Sequence, residues 1–173
     1  MRKCIMKIRV GVFFGGNSVE HEISVISALQ AMNAMDSDKY EIIPVYITRE
    51  NEFYTGEALR TIENFADQPA LLKQCRQVIP VKGKGCMELY KYPFGMFGNK
   101  ACAVLDVAFP IVHGTNVEDG ALQGFIKTLN LPFVGCDVLA SAICMDKYAM
   151  KVMLRDAGFP VLDGLRFSIT DYK

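Results

Sequence analysis

A strand, a turn, a helix and a second strand follow one another near the amino terminus, and this order leaves few folds open. The run IRVGVFF at 8–14 is short and nearly all apolar, which is typical of a parallel strand buried on both faces. Gly15 and Gly16 follow as a turn, apolar positions then recur with helical spacing over 19–35, and YEIIPVYIT at 40–48 is a second strand. This order favours a right-handed crossover and a parallel sheet.

The rest of the chain supports the same class. Residues 49–100 are interrupted by glycines and prolines, but they contain a hairpin pattern at 78–92 and a short helix pattern at 57–66. Beyond residue 100 we predict a strand that ends at His113, and then the following elements: a helix over 119–129, a strand over 132–135, a helix over 146–157 and a strand over 165–170. The predicted fold is therefore α/β, with an open, mostly parallel sheet flanked by helices.

Composition limits the classes of partner. Apolar residues make up 51% of the 173-residue chain, which is long enough for one α/β domain and the start of a second. Nineteen basic residues balance nineteen acidic ones, so no electrostatic argument favours nucleic acid or an anionic membrane. The amino-terminal apolar stretch is broken by Lys7 and Arg9, unlike a signal peptide. We therefore predict a cytoplasmic protein.

The six cysteines form no C-x-x-C pair, and several lie within apolar runs, where a free thiol packs as a small hydrophobic group. We predict free thiols, with a disulfide framework as the alternative.

Polar side chains follow the first predicted strand directly, in GGNSVEHEIS at 15–24. Ligands of open parallel sheets bind beyond the carboxyl ends of the strands, and Gly15 and Gly16 let the backbone approach a ligand closely. The spacing matches neither a dinucleotide nor a P-loop fingerprint. An ionised Glu20 at this position can hold a substrate ammonium. Alternatively, with Asn17 as the N-cap, Glu20 closes a capping box.

The helix that follows is predicted to have a polar stripe. Glu20, Ser24 and Ser27 share one face at helical spacing, whereas His21 and Glu22 point elsewhere and are predicted at the surface. The apolar positions that carry the helical period include Val19, Ile23, Ile26 and Met32.

A second polar segment, HGTNVEDGALQG at 113–124, follows the strand predicted to end at His113. Gly114 and Gly120 bracket an acidic loop that leads into a helix. Taken alone, a histidine at a strand end is more typical of a structural residue, and Gln123 can simply bond to backbone. Two polar segments at the ends of neighbouring strands would nevertheless line one crevice, which favours a ligand site.

The helix predicted over 146–157 carries Lys147, Lys151 and Arg155 on one stripe. We interpret the last two as a solvated basic face, whereas Lys147, on the first turn, can reach a nucleotide phosphate. The buried face of this helix is predicted to consist of Tyr148, Val152 and Met153.

These segments, with LPFVGCDVLASAICMDKYAMK at 131–151 and AGFPV at 157–161, resemble the N-terminal half of the D-alanine–D-alanine ligases of the ATP-grasp superfamily. They occur in the family's order and at roughly its spacing. The resemblance implies a Rossmann-like, pre-ATP-grasp domain that binds substrate over 1–137. It also implies the beginning of the central ATP-grasp domain over 138–173.

The resemblance implies an ATP-dependent reaction. The carboxylate of a first D-alanine is phosphorylated, and the amine of a second D-alanine attacks this D-alanyl phosphate to give the dipeptide of peptidoglycan. By motif position, Glu20 and His113 are the candidate catalytic residues: Glu20 would hold the first D-alanine's ammonium and His113 would line the same pocket. Lys147 would bind ATP phosphates. The other candidate substrate-binding residues are Gly15, Gly16, Ser18 and Gly114. The resemblance also implies Mg²⁺, with ligands outside this chain, and a homodimer.

Two departures from the family pattern carry expectations. Val117 stands where the family has glycine, and because a β-branched residue disfavours positive φ, we predict a reshaped loop beside His113. The chain is also about half the family's length, so we expect that it cannot catalyse ligation alone. D-serine or D-lactate as the second substrate is an alternative, and a non-catalytic α/β binding or dimerisation module is another.

Overall fold

Within residues 6–95 and 100–171, which the computed structural model describes, seven strands form one mixed sheet with helices on both faces. The strands are β1 (Ile8–Gly15), β2 (Tyr40–Ile47), β3 (Phe53–Thr55), β4 (Arg76–Lys82), β5 (Met87–Lys91), β6 (Ala101–Leu105) and β7 (Val107–Ile111). The α-helices are α1 (His21–Ala34), α2 (Gln68–Gln74), α3 (Ala121–Thr128), α4 (Val138–Met145) and α5 (Lys147–Asp156). Short 3-10 helices cover Glu57–Arg60, Ile62–Ala66 and Ile169–Asp171.

The strand order is β6-β5-β4-β3-β2-β1-β7. β1 pairs in parallel with both β2 and β7, and the remaining pairs are antiparallel. The predicted α/β sheet flanked by helices is confirmed as a mixed sheet, whose parallel pairing is confined to β2, β1 and β7. The predicted hairpin is also confirmed and is formed by β4 and β5. The antiparallel part consists of β3, β4 and β5, which lie within residues 49–100, and of β6. Glycines and prolines in 49–100 obscured β3 and α2 in the sequence. The helix predicted over 57–66 consists of two 3-10 turns.

β1 lies at the centre of the core and is buried on both faces, as its apolar run predicts. Phe14 belongs to the apolar cluster under α1, whereas Phe13 belongs to the cluster under α3. Because successive side chains of a strand point to opposite faces, one apolar run supplies both clusters. The carboxyl end of β1 is thereby held between two packed layers.

The strand predicted to end at His113 is two strands, and this prediction was wrong. Asp106 separates β6 from β7, and its carboxylate accepts a hydrogen bond from the backbone N–H of Arg9 at 2.9 Å. The Asp106 N–H in turn donates to the Arg9 carbonyl at 2.8 Å. Because the side chain takes the place of a backbone partner, the chain bends here, and of these two strands β7 pairs with β1 whereas β6 pairs with β5.

The face of α1 that packs on the sheet differs from the predicted one. Val19, Ile23 and Ile26 are exposed, and of the four apolar positions named above only Met32 is buried. The buried residues are His21, Ser24, Val25, Ala28, Leu29 and Met32. Apolar side chains lie all round this helix, so their period does not identify the inner face.

Three predictions for the last third of the chain were wrong. Residues 132–135 contribute only a single bridge, from Phe133 to Ala108, and 165–170 is not a strand. The predicted buried face of α5 is exposed, with Tyr148 at 48%. A strand needs a neighbour and an apolar face needs a cover, and the described residues supply neither here. The sequence also did not reveal α4, although Asp137 caps it by accepting from the Val138 N–H.

The five cysteines within the described residues are all free thiols, as predicted, and Cys4 lies outside those residues. None of the described helices has both the length and the apolar character needed to cross a bilayer.

Candidate functional site

The carboxyl ends of β1 and β7 lie side by side, and α1 joins them. The N–H of Gly15 donates to Ser24 Oγ at 2.7 Å, and this hydroxyl donates to the Ile111 carbonyl at 2.6 Å. Ser24 is fully buried. The predicted polar stripe of α1 therefore does face the strand ends, and at Ser24 it serves to fix them.

Hydrogen bonds with buried polar groups fix the turn that follows β1. The Gly16 N–H donates to the Ile47 carbonyl at 2.7 Å, and the Gly16 carbonyl accepts from the Ser18 N–H at 2.9 Å. His21 Nδ1 lies 2.7 Å from the same carbonyl. His21 is only 5% exposed, so its predicted surface position was wrong. Glu22 is exposed, as predicted, and pairs with Arg49 at 2.7 Å.

Val117 packs directly on Gly16. Its Cγ1 fills the space that a Cβ of Gly16 would occupy, and Gly16 has a φ of +92°. Val117 itself is buried, and the left-handed positions of its loop are Gly114, Asn116 and Gly120. The positive φ angles of this loop therefore fall at other residues and not at Val117. The Val117 side chain packs in the core between the two polar segments.

Glu20 stands at the rim of the site with a free carboxylate. It occupies the N-cap position of α1 without a side-chain cap hydrogen bond, so the capping-box alternative was wrong. Its N–H donates to Ser18 Oγ at 3.1 Å. Among the described residues, no side chain forms an ion pair or hydrogen bond with its carboxylate. This carboxylate is available to a ligand.

Gly114 brings the second segment against the first. Ser18 Oγ lies in the space of a Gly114 Cβ, and Glu20 Oε2 lies 3.0 Å from that point. With a φ of +84°, this position favours glycine on conformational grounds as well. The Gly114 N–H donates to Glu118 Oε2 at 2.9 Å, and Asn116 Nδ2 donates to the Asn17 carbonyl at 3.0 Å.

His113 lies just behind this contact. It is half-buried, and its Nε2 is 3.1 Å from Ser27 Oγ on α1. It does not line the cavity described next. His113 therefore contacts the polar stripe of α1 through Ser27 instead of lining the cavity.

A cavity of about 510 Å³ opens beyond the ends of β1 and β7. Its polar lining includes Glu20, Glu118, Gln123, Ser141 and Lys147. Three predicted site residues, Glu20, Gly114 and Lys147, thus line one space. The other four lie beneath or beside it: Gly15, Gly16, Ser18 and His113.

Lys147 approaches the cavity from the junction of α4 and α5. Its Nζ donates to the Cys144 carbonyl in the last turn of α4 at 2.7 Å, a favourable place for a cation. The cavity therefore has carboxylates on the sheet side and an ammonium on the α4–α5 side. Such a distribution suits a ligand that carries both an amine and an anionic group.

Sequence reasoning missed Gln123 and Ser141 as lining residues. Gln123 lies in the first turn of α3, and Ser141 lies on α4. The signal available for Gln123 was its position in the polar segment that follows β7. For Ser141 there was no such signal, because the α4 sequence has no clear period.

The fold is an α/β domain with a cavity beyond the carboxyl ends of adjacent parallel strands. A family model described as D-ala D-ala ligase N-terminus matches residues 9–136. The chain belongs to this family.

The similar proteins are described as D-alanine–D-alanine ligases, and one solved structure as a D-Ala:D-Ser ligase. D-alanine--D-alanine ligase A of Escherichia coli (strain K12) is 42% identical over 158 residues, which is 90% of this chain and 42% of that protein. The solved D-alanine-D-alanine ligase from Coxiella burnetii has a TM-score of 0.77 at 36% identity, covering 92% of this chain and 44% of that one. The VanG D-Ala:D-Ser ligase from Enterococcus faecalis has a TM-score of 0.70 at 34% identity, covering 88% and 43%. The chain therefore spans about two fifths of the length of these relatives.

Proposed function

We propose that this chain is the N-terminal part of a D-alanine–D-alanine ligase, which forms the peptidoglycan dipeptide through a D-alanyl phosphate at the expense of ATP. The observation that supports the proposal is the Glu20 carboxylate, which has no partner among the described residues and lines the same cavity as Lys147. Family membership supports the same reaction. We place the substrate-binding domain at 1–137 and the start of the ATP-grasp domain at 138–173, since α4 begins at Val138.

Glu20 holds the ammonium of the first D-alanine. A carboxylate forms a charge-assisted hydrogen bond with an ammonium, which is stronger than a bond between neutral groups. This contact orients the substrate so that its carboxylate faces the phosphate donor. His113, held by Ser27, sets the shape of the pocket behind it.

The remaining substrate-site residues act by position. Gly15 and Gly16 allow the tight turn, and Ser18 receives the Glu20 N–H and lies against Gly114. These contacts fix the backbone from which the Glu20 side chain projects. A carboxylate fixed before the substrate arrives loses little freedom on binding.

Lys147 fits a phosphate group, because its charge lies at the cavity and its only described hydrogen bond goes to a helix-end carbonyl. ATP supplies the phosphoryl group when bound, and Lys147 neutralises phosphate charge. Within the described residues, no group of three His, Cys, Asp or Glu side chains is placed to hold a metal ion. We therefore assign no step through Mg²⁺ to this chain's residues, and we expect no ligation by the 173-residue chain alone.

The partners proposed for the complete protein are D-alanine, ATP and a second copy of itself in the cytoplasm. Ile23 and Ile26 on α1, together with Val19 in the turn before it, are exposed apolar side chains, which supports a homodimer. Light scattering of Ile23→Glu against the unaltered protein tests this state. A mass that stays dimeric in the variant contradicts the use of this face.

The decisive experiment measures D-alanine-dependent phosphate release by the complete ligase and its Glu20→Gln variant. Glu20→Gln should raise the KM for the first D-alanine at least tenfold, because a charge-assisted hydrogen bond is lost. Glu22→Gln is the matched control, since Glu22 is exposed and pairs only with Arg49. An unchanged KM in Glu20→Gln rules out the ammonium role. Replacing the second D-alanine with D-serine or D-lactate in the same assay identifies the acceptor.

A further inference from the structure

The Gln123 carboxamide has a buried oxygen that forms no hydrogen bond with the described residues. The residue is 7% exposed and lines the same cavity as Glu20. Its Oε1 is fully buried, and no donor among the described residues hydrogen-bonds to it. It lies in the first turn of α3, directly after the loop that carries Gly114 and Glu118.

A buried acceptor without a donor destabilises the free protein, since burial removes the water that would otherwise bond to it. A leucine or methionine would fill the same space without this penalty. The carboxamide therefore has a use that the unliganded domain does not show, and its place in the cavity indicates a ligand.

The Gln123 side-chain oxygen, which lacks a hydrogen-bond donor, indicates which group the ligand must carry. A carbonyl oxygen accepts hydrogen bonds, so its partner must be a donor, and an ammonium has three N–H donors. Glu20 supplies a charge and one acceptor. The Glu118 carboxylate already accepts from the Gly114 N–H, and the Ser141 hydroxyl donates to the Cys136 carbonyl at 3.5 Å. Among the described residues that line the cavity, Gln123 is thus the one whose buried side-chain oxygen has no hydrogen bond.

We propose that Gln123 is a substrate-binding residue whose Oε1, brought to the cavity by rotation of the carboxamide, accepts a hydrogen bond from the ammonium that Glu20 neutralises. This inference rests on the proposed function. Two acceptors fix the direction of the C–N bond, whereas one leaves the amino acid free to rotate about the ion pair. Gln123 thus turns an electrostatic contact into a defined orientation of the substrate.

The test compares Gln123→Met with the unaltered complete ligase. Methionine has a similar shape but no acceptor, so the KM for the first D-alanine should rise about tenfold, as for a lost hydrogen bond to a charged group. The KM for ATP should be unchanged. The thermal midpoint should stay the same or rise, because an unpaired buried carbonyl is removed. Gln30→Met, at an exposed position of α1, is the matched control and should alter none of these values.

Propionate separates an ammonium contact from a change of cavity shape. It keeps the carboxylate and methyl group of D-alanine but has no amine, so Gln123→Met should leave its inhibition constant unchanged. Equal weakening of D-alanine and propionate would overturn the proposal, as would an unchanged KM for D-alanine. Both results leave the proposed function standing. That function fails separately if the unaltered complete protein releases no phosphate with D-alanine and ATP.

Discussion

The imidazole of His21 and the phenol of Tyr46 are hydrogen-bonded inside the core, with 2.8 Å between Nε2 and the hydroxyl oxygen. His21 Nδ1 faces the Gly16 carbonyl, which can only accept, so Nδ1 carries the proton and Nε2 accepts from Tyr46. Gln68 Nε2 donates to the same hydroxyl at 3.0 Å. This series of bonds connects α2 with the turn from which Glu20 projects.

Tyr46→Phe should destabilise the domain by roughly 1–3 kcal/mol, because it leaves His21 Nε2 buried without a donor. The free energy of unfolding in urea measures this loss. Tyr54→Phe is the control: the Tyr54 hydroxyl bonds only to the exposed Glu52. That variant should lie within about 0.5 kcal/mol of the unaltered chain. Equal stability of Tyr46→Phe and the unaltered chain would show that the buried bond contributes nothing.

Tyr46 should also make the domain sensitive to alkali. Burial raises the pKa of Tyr46 from its ordinary value of 10.0 to about 12. Because the folded-state pKa is the higher one, the stabilisation is complete below pH 10 and is lost as the pH rises toward 12. Over this window the unaltered chain should lose roughly 2 kcal/mol more than Tyr46→Phe. Urea denaturation of both chains at pH 9 and pH 12 tests the sign, and parallel losses would contradict it.

The turn that these bonds support was only partly predictable from sequence. GGNSVEHEIS indicated a strand end with a polar site, because two glycines after an apolar run have few other uses. It did not indicate that His21 is buried, since a polar residue between two glutamates has the local pattern of a surface position. Its partner Tyr46 is 25 residues away, and pattern reasoning does not pair such distant residues.

The limits elsewhere have a similar origin. The strand that ends at Gly15 was predictable because its burial follows from its own side chains. The exposed face of α5, with Tyr148 and Met153, was not, because helical spacing shows where a cover would fit and not whether the described chain supplies one. The sequence does not distinguish a ligand-binding Gln123 from one that bonds to backbone, because the lack of a partner for its side-chain oxygen appears only in three dimensions.

Gly16 and Val117 should be energetically coupled. Gly16→Ala places a methyl group where Val117 Cγ1 lies, at a φ of +92°. The clash and the left-handed strain together should lower the free energy of unfolding by roughly 2–4 kcal/mol. In a Val117→Ala background the clash is relieved and only the strain of about 1–2 kcal/mol remains. A double-mutant cycle by urea denaturation measures the difference, and additive effects would contradict the contact.

Asp106 should make the free energy of unfolding depend on pH in the acid range. The Arg9 hydrogen bond lowers the pKa of Asp106 below its ordinary value of 3.8. Because the folded-state pKa is the lower one, the stabilisation is present above pH 3.8 and is lost as the pH falls through the folded value. Both side chains are about one-third exposed, so solvent screening limits the effect to about 1 kcal/mol.

The comparison is Asp106→Asn, which keeps an acceptor for the Arg9 N–H but removes the charge. This variant should be less stable than the unaltered chain at neutral pH, and the difference should shrink in acid. Glu63→Gln is the control, since Glu63 is exposed and its side chain forms no ion pair or hydrogen bond with the described residues, so its difference should not vary with pH. If the difference for Asp106→Asn is constant with pH, the ion pair is not its source.

Substitution of Lys147 distinguishes a role in binding ATP phosphates from a purely structural role at the end of α4. Its Nζ donates to the Cys144 carbonyl, so Lys147→Met should lower the free energy of unfolding by roughly 0.3–1 kcal/mol whatever its function. If Lys147 binds ATP phosphates in the complete ligase, the same substitution should also raise the KM for ATP by tenfold or more. The KM for D-alanine should not change, because Glu20 and its supporting residues are untouched.

Lys151→Met on the same helix is the matched control, since Lys151 reaches only the Asp163 carbonyl, at 3.4 Å. A stability loss with an unchanged KM for ATP would assign Lys147 to the helix end alone.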